Sequence, residues 1–99
     1  PHGQIVAVAS HGHALDVFTV SGACLKSSQT FAELEAALRG DERFLPCNRG
    51  VLVNMDEALK LDGDSILLTD GLRFPLRQRN RLDLVNRFSE YQIKRMKRG

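Results

Sequence analysis

The sequence predicts a mostly β domain in which antiparallel strands form the body and two helices are accessories. Short runs rich in Val, Ile and Leu alternate with turn residues along most of the chain, which is typical of strands. Only two segments, residues 30–39 and 80–97, show the apolar spacing of a helix. The predicted order is three strands, a helix, five strands and a helix, and 99 residues suffice for one domain, residues 1–99.

Three strands are predicted before the first helix, at residues 4–9, 15–20 and 23–28. Polar and small residues at positions 10–13 interrupt the pattern and predict a loop between the first two strands. Ser21 and Gly22 predict a turn between the second and third strands. The chain is therefore expected to fold back on itself twice before the helix begins.

The first helix has the clearest local signals. Thr30 and Glu33 match a capping box, in which each side chain satisfies a backbone amide of the first turn. Gly40 is expected to end the helix in a left-handed conformation. The apolar face of this helix is formed by Phe31, Leu34 and Leu38.

Five further strands are predicted at residues 44–47, 51–53, 58–61, 66–69 and 72–76. Pro46 has no amide hydrogen, so the first of these segments is an edge strand or a loop that enters one. Gly63 and Gly71 each follow an aspartate, and these Asp-Gly pairs predict hairpin turns that join the last three strands into a meander. The second helix is expected to pack on the domain through Leu84, Phe88 and Tyr91.

The net charge of +2 is unevenly distributed along the chain. Residues 73–99 carry nine basic and two acidic side chains, a net of +7, which leaves −5 on residues 1–72. A basic end on an acidic body is typical of a protein that binds nucleic acid or another acidic surface. For the last five residues, a solvated basic tail is the alternative interpretation.

Few residues suggest catalytic or metal chemistry. Cys24 and Cys47 are too few for a disulfide scaffold, so we expect reduced, packed thiols, with a redox-sensing pair as the alternative. His11 and His13, with Asp16, could supply metal ligands, but the sequence has no further His or Cys cluster to complete a site. No nucleophile elbow and no phosphate-binding glycine loop occur. The sequence therefore predicts no enzyme activity, no metal and no cofactor.

Polar residues interrupt the predicted strands at three places that could contact a nucleic acid. They are His11 and His13, then Asn48 and Arg49, then Arg77, Gln78 and Arg79. Arginine can contact guanine and phosphate, whereas asparagine and glutamine can pair with adenine. Together with the basic C-terminal third, these loops predict a DNA-binding surface.

Three stretches match, in order and spacing, the patterns of one protein family. Residues 44–54 (FLPCNRGVLVN) are similar to F-x-R-x-H-R-S-x-x-V-N, and residues 66–79 (ILLTDGLRFPLRQR) to I-x-L-x-D-G-x-x-x-P-V-S-R-R. Residues 4–13 (QIVAVASHGH) are similar to I-x-x-I-E-A-x-G-x-Y/H, and the helix at residues 30–39 falls where the family has one. Over residues 4–91 the chain thus resembles a LytTR DNA-binding domain, the output domain of bacterial LytR/AlgR-type response regulators.

This resemblance implies an elongated β domain whose loops enter successive grooves of DNA. The base-contacting positions carried over from the family are His13, Arg49 and Gln78, and the neighbouring candidates for base or phosphate contact are Asn48, Arg77 and Arg79.

The chain departs from the family patterns at three places. Asn48 stands where the family usually has His, and Gly50 where it usually has Ser. Arg77-Gln78 replaces the common Ser-Arg, so it stays open which side chain of that loop faces the bases. The family's first strand, which precedes position 4, is missing. This predicts a fragment of a longer regulator with an exposed edge strand.

The resulting hypothesis is sequence-specific binding of double-stranded DNA by a cytoplasmic output domain without catalysis. Its expected partners are promoter repeats, a receiver or other sensor domain in the full-length chain, and a second copy on DNA. No apolar run approaches the ~20 residues of a membrane span, so no membrane partner is expected. The alternatives are a β-rich protein-interaction or dimerisation module without DNA binding, and a small metal-dependent enzyme that uses His11 and His13.

Overall fold

The computed structural model describes residues 2–98, with the side chains of residues 3–97. The strands are β1 (Ile5–His11), β2 (Ala14–Thr19), β3 (Cys24–Ser27), β4 (Phe44–Asn48), β5 (Val51–Asn54), β6 (Ala58–Asp62), β7 (Ser65–Leu68) and β8 (Arg73–Pro75). The α-helices are α1 (Phe31–Leu38) and α2 (Arg81–Arg98), and short 3-10 helices span His2–Gln4, Met55–Glu57 and Thr69–Gly71. The mostly β fold class, with a short helix after the third strand and a C-terminal helix, is confirmed.

Two antiparallel sheets form the body of the domain, which measures 36 × 30 × 26 Å. The five-stranded sheet has the order β3-β2-β1-β5-β4, and the three-stranded sheet is the meander β6-β7-β8 that the Asp-Gly pairs predict. Gly63 and Gly71 both have positive φ, as the hairpin prediction requires. Pro46 lies on β4 at the edge of the larger sheet, which confirms the edge-strand alternative because proline cannot donate to a further ladder.

Each face of the five-stranded sheet buries its own cluster of apolar side chains. On one face, α1 covers a cluster formed by Val8, Leu15, Leu38, Phe44 and Leu52. On the other face, α2 and the three-stranded sheet enclose a larger cluster, to which α2 contributes Leu84, Phe88 and Tyr91. The burial of these three side chains confirms the prediction that α2 packs on the body. Full burial of such a side chain contributes about 1.5–3 kcal/mol to stability.

The capping box predicted at the start of α1 is confirmed, whereas the left-handed glycine predicted at its end is wrong. Glu33 N–H donates to Thr30 Oγ1 at 3.1 Å, and Thr30 N–H donates to Glu33 Oε1 at 3.1 Å. Gly40 is outside the left-handed region, contrary to the prediction. The helix ends instead with Arg39 in a right-handed conformation, followed by a turn in which Asp41 N–H donates to the Leu38 carbonyl at 2.9 Å.

The first predicted loop is shorter than expected. Ser10 and His11 belong to β1 and pair with Leu15 and Ala14, which leaves a two-residue turn at positions 12–13. Polar side chains at exposed positions do not prevent backbone pairing, because the ladder uses only main-chain groups.

Candidate nucleic-acid interface

Two hairpin turns lie side by side at one end of the five-stranded sheet. The β1–β2 turn contains Gly12 and His13, and the β4–β5 turn contains Arg49 and Gly50. Because β1 and β5 are neighbours, Ser10 N–H donates to the Gly50 carbonyl at 2.7 Å. Gly50 has a φ of 71°, and a β-carbon there would lie 3.0 Å from Cβ of Ser10, which explains glycine where the resembled pattern has serine.

The loop between β8 and α2, residues 76–80, lies against the outer edge of β4. Arg77 N–H donates to the Cys47 carbonyl at 2.9 Å, so this loop is fixed beside the β4–β5 turn. We call the three segments at residues 12–13, 49–50 and 76–80 the loop row. It covers about three strand spacings of ~4.8 Å, or about 15 Å. The structure therefore brings the three predicted DNA-contacting loops together.

Asn48 uses its side chain to join two segments of the protein. Its Nδ2 donates to the Pro75 carbonyl at 3.0 Å, and its Oδ1 accepts from Arg49 N–H at 2.7 Å. The amide therefore orients the backbone of Arg49 and fastens the β4–β5 turn to the end of β8. These bonds use one hydrogen of Nδ2 and one lone pair of Oδ1, so they fix the orientation of the amide.

Arg77 also points back into the protein. Its Nη1 donates to the Pro46 carbonyl at 3.1 Å, and its Nε donates to the Arg79 carbonyl at 2.9 Å. Its Nη2 lies 3.6 Å from a carboxylate oxygen of Asp83. The guanidinium thus holds the 76–80 loop in a fixed conformation.

Arg81, which the sequence interpretation missed, holds the same loop from the other side. Its Nε and Nη2 donate to the carbonyls of Arg77 and Leu76, at 3.3 and 3.2 Å. Its Nη1 donates to the Asp64 carboxylate at 2.5 Å, and Leu76 N–H donates to the Asp64 carbonyl at 2.8 Å. The sequence gives no signal for this contact, since Asp64 reads as an ordinary turn residue and Arg81 as part of a basic helix face.

Five side chains of the loop row are left exposed: His13, Arg49, Gln78, Arg79 and Asn80. Among the side chains that the structure describes, none of these five takes part in an intramolecular hydrogen bond or ion pair. They present two guanidinium groups, two amides and one imidazole to solvent. Such groups can donate to or accept from a partner without breaking a contact within the protein.

Five of the eight basic side chains in residues 73–97 form ion pairs with carboxylates. The ion pairs are Arg73–Asp62 at 2.9 Å, Arg77–Asp83 at 3.6 Å, Arg81–Asp64 at 2.5 Å, Lys94–Glu42 at 2.9 Å and Arg95–Asp56 at 3.3 Å. Four of these pairs connect the basic segment to the acidic body. The charge asymmetry of the sequence thus partly reflects how α2 and β8 dock, and Arg49 and Arg79 stand out as exposed charges of the row.

His11 lies beside a carboxylate of the first hairpin, whereas His13 is one of the exposed side chains of the loop row. His11 Nδ1 lies 3.5 Å from Asp16, whose carboxylate also pairs with Lys26. The hydrogen bond from Lys26 and the nearby His11 hold the pKa of Asp16 below its usual value. Within the described residues, no three His, Cys, Asp or Glu side chains are grouped as metal ligands, so the metal-dependent hypothesis gains no ligand set.

The two cysteines cannot form a redox pair within one chain. Cys24 lies exposed on β3 and Cys47 lies buried on β4, at opposite edges of the sheet. Four strand spacings separate them by about 19 Å, whereas a disulfide needs α-carbons within ~7 Å. Burial raises the pKa of the Cys47 thiol to about 12, which keeps it protonated. The alternative of a redox-sensing Cys24–Cys47 pair is therefore wrong.

Comparison with solved structures defines the class of this fold. The chain is similar to a LytTr DNA-binding domain from Bacillus cereus, with a TM-score of 0.73 and 15% sequence identity, over 89% of this chain and 83% of that one. No family model and no curated protein sequence matches the chain. At this identity the likeness establishes the fold, which is that of a LytTR-type domain. Neither described helix combines the length and apolar character needed to cross a membrane.

Proposed function

We propose that this domain binds double-stranded DNA in a sequence-specific manner through its loop row. The observation that carries the proposal is that five polar side chains of the row are exposed while other residues fix its backbone. Similarity to a structure described as a LytTr DNA-binding domain supports the same function. No catalytic step is part of the proposal.

The size of the row fits one face of a duplex. Its length of about 15 Å is less than the ~34 Å helical turn of B-DNA, and its turns are narrower than the ~12 Å major groove. Arg49, near the middle, is proposed to contact guanine, and Gln78 to contact a base edge beside it. Arg79 and His13 are proposed to contact phosphate or base edges at the two sides.

We further propose that the domain is the output unit of a bacterial transcriptional regulator in the cytoplasm. Its signal would come from a receiver or other sensor domain in a longer chain. A second copy would occupy a neighbouring site on promoter repeats. These roles follow from the resemblance of the loop motifs and from the LytTR-type fold.

The proposal is tested by selecting bound duplexes from a random pool and measuring the affinity of the recovered site. We expect Arg49→Ala to weaken that affinity by about 1–3 kcal/mol, or roughly 5- to 150-fold, with a smaller effect on random DNA. The matched control is Arg39→Ala, because Arg39 is an exposed arginine at the end of α1, outside the loop row. A pool that yields no enriched motif, or equal effects of the two variants, would contradict the proposal.

Salt dependence tests the electrostatic part separately. Phosphate contacts release counterions, so the logarithm of the binding constant should fall linearly with the logarithm of salt concentration. An affinity that stays constant from low to moderate salt would refute phosphate contact by the row.

A protein-interaction module remains the second candidate, because β3 is an edge strand with Leu25 55% exposed. This candidate predicts that the domain leaves random and selected duplexes unshifted in a gel below micromolar concentration. It also predicts that Leu25→Glu abolishes binding of a protein partner while leaving the fold intact. DNA binding that survives Leu25→Glu and fails in Arg49→Ala would exclude it as the explanation.

A further inference from the structure

The outer face of α2 carries an apolar stripe that the fold leaves uncovered. Leu82, Ile93 and Met96 are 71%, 52% and 79% exposed. Spacings of seven, four and three residues place Leu82, Ser89, Ile93 and Met96 on one side of the helix. The opposite side is already buried in the core through Leu84, Phe88 and Tyr91.

This stripe matches an antiparallel copy of itself. With Ser89 of both copies at a two-fold axis, Leu82 lies seven residues before the axis and Met96 seven residues after it, so they face each other. Val85 and Ile93 are likewise four residues before and after the axis. The small Ser89 at the centre allows the two helices to approach closely, and the large apolar side chains fill the space on both sides.

The polar flank of the stripe is complementary in the same arrangement. Asp83, which also lies 3.6 Å from Arg77 of its own chain, would lie beside Lys97 of the second copy, and Asn86 beside the carboxylate of Glu90. Each contact occurs twice in a two-fold pair. On the other flank the basic residues are Arg81 and Arg95, and each is already paired with a carboxylate of its own chain.

We propose that the exposed face of α2 is a homodimer surface in which two copies pack antiparallel about Ser89. The stripe is about 21 Å long and ~10 Å wide, or roughly 400 Å² over both copies, which is below the ~1,200 Å² of stable specific interfaces, so the dimer is weak. The surface is distinct from the loop row, and the proposal holds whether or not the row binds DNA.

Sedimentation of the purified domain over about 1–500 µM tests the dimer. We expect a reversible monomer–dimer equilibrium, and we expect Leu82→Glu to raise its dissociation constant about tenfold or more, because both copies lose an apolar contact. Leu59→Glu is the matched control, since Leu59 is 58% exposed on β6, away from α2. A wild-type chain that stays monomeric throughout, or equal effects of the two variants, would overturn the proposal.

Disulfide trapping tests the orientation in a Cys24→Ser background, which removes the exposed thiol. In the antiparallel dimer, Ser89→Cys places two sulfurs at the axis and should form a covalent dimer under mild oxidation. Leu82→Cys should not, because its two copies would be about 21 Å apart along the helices. Equal trapping of both variants would exclude the antiparallel arrangement. Neither assay contains DNA, so failure here is distinguishable from failure of the proposed function.

Discussion

Replacing Asn48 with alanine separates a residue that positions the loop row from one that contacts DNA. The change removes the bond to the Pro75 carbonyl at 3.0 Å and the bond from Arg49 N–H at 2.7 Å. At about 1 kcal/mol for each neutral hydrogen bond, the free energy of unfolding should fall by about 1–2 kcal/mol. For a chain of this size that corresponds to a decrease of about 5–10 °C in Tm.

The assay is chemical or thermal unfolding followed by circular dichroism, with Arg49→Ala as the comparison. Because the Arg49 side chain is exposed and makes no intramolecular bond among the described residues, its removal should change stability by less than about 0.5 kcal/mol. In the DNA assay both variants should lose specific affinity, Asn48→Ala because its turn is no longer held. If Asn48→Ala binds DNA poorly but unfolds like the wild type, then Asn48 contacts DNA directly and the positioning role is refuted.

Two further predictions concern the scaffold. Gly50→Ala should lower the free energy of unfolding by about 2 kcal/mol, because φ of 71° is unfavourable for alanine and the new β-carbon would lie 3.0 Å from Cβ of Ser10. A urea titration measures this change. An unfolding midpoint equal to that of the wild type would contradict the prediction. The Tyr91 hydroxyl donates to Asp56 Oδ1 at 2.6 Å. Burial, as the larger cause, and this hydrogen bond raise the pKa of Tyr91 from its ordinary value of 10.0 to about 12. Its contribution to stability is therefore complete below about pH 10 and is lost as pH rises toward 12, at about 1.4 kcal/mol per pH unit. Tyr91→Phe should be less stable than the wild type by about 1.5–3 kcal/mol at neutral pH, and this difference should shrink between pH 10 and 12; a constant difference would refute the coupling. The buried thiol of Cys47, with a pKa of about 12, also lowers the free energy of unfolding above about pH 9. This effect is the same in the wild type and in Tyr91→Phe, so it cancels in the comparison.

Much of the fold follows from local sequence signals. The eight strands, the capping box at Thr30, the edge position of Pro46 and the buried stripe of α2 depend on backbone chemistry and apolar spacing, which the sequence displays directly. The end of α1 does not follow, because Gly40 permits a left-handed conformation without enforcing one. The two-residue turn after His11 was also missed, since polarity alone does not mark where pairing ends.

The candidate site also follows from the sequence only in part. Sequence motifs identified the three loops, and the structure brings them to one end of the sheet as a row. The motifs did not distinguish Asn48 and Arg77, whose side chains hold the row together, from Arg49, which is exposed. Residue type indicates which bonds a side chain can make, but its neighbours in space determine which of them are made.

The charge distribution shows most clearly what each level determined. The sequence by itself determined a mostly β chain with turns, caps and a basic C-terminal third, because these properties depend on residues close together in the chain. Only the tertiary structure decided that four of the basic residues pair with the acidic body, and that Arg81 and Asp64 fix a loop. Ion pairs and hydrogen bonds act over a few ångströms, so residues distant in sequence acquire their roles only when folding brings them together.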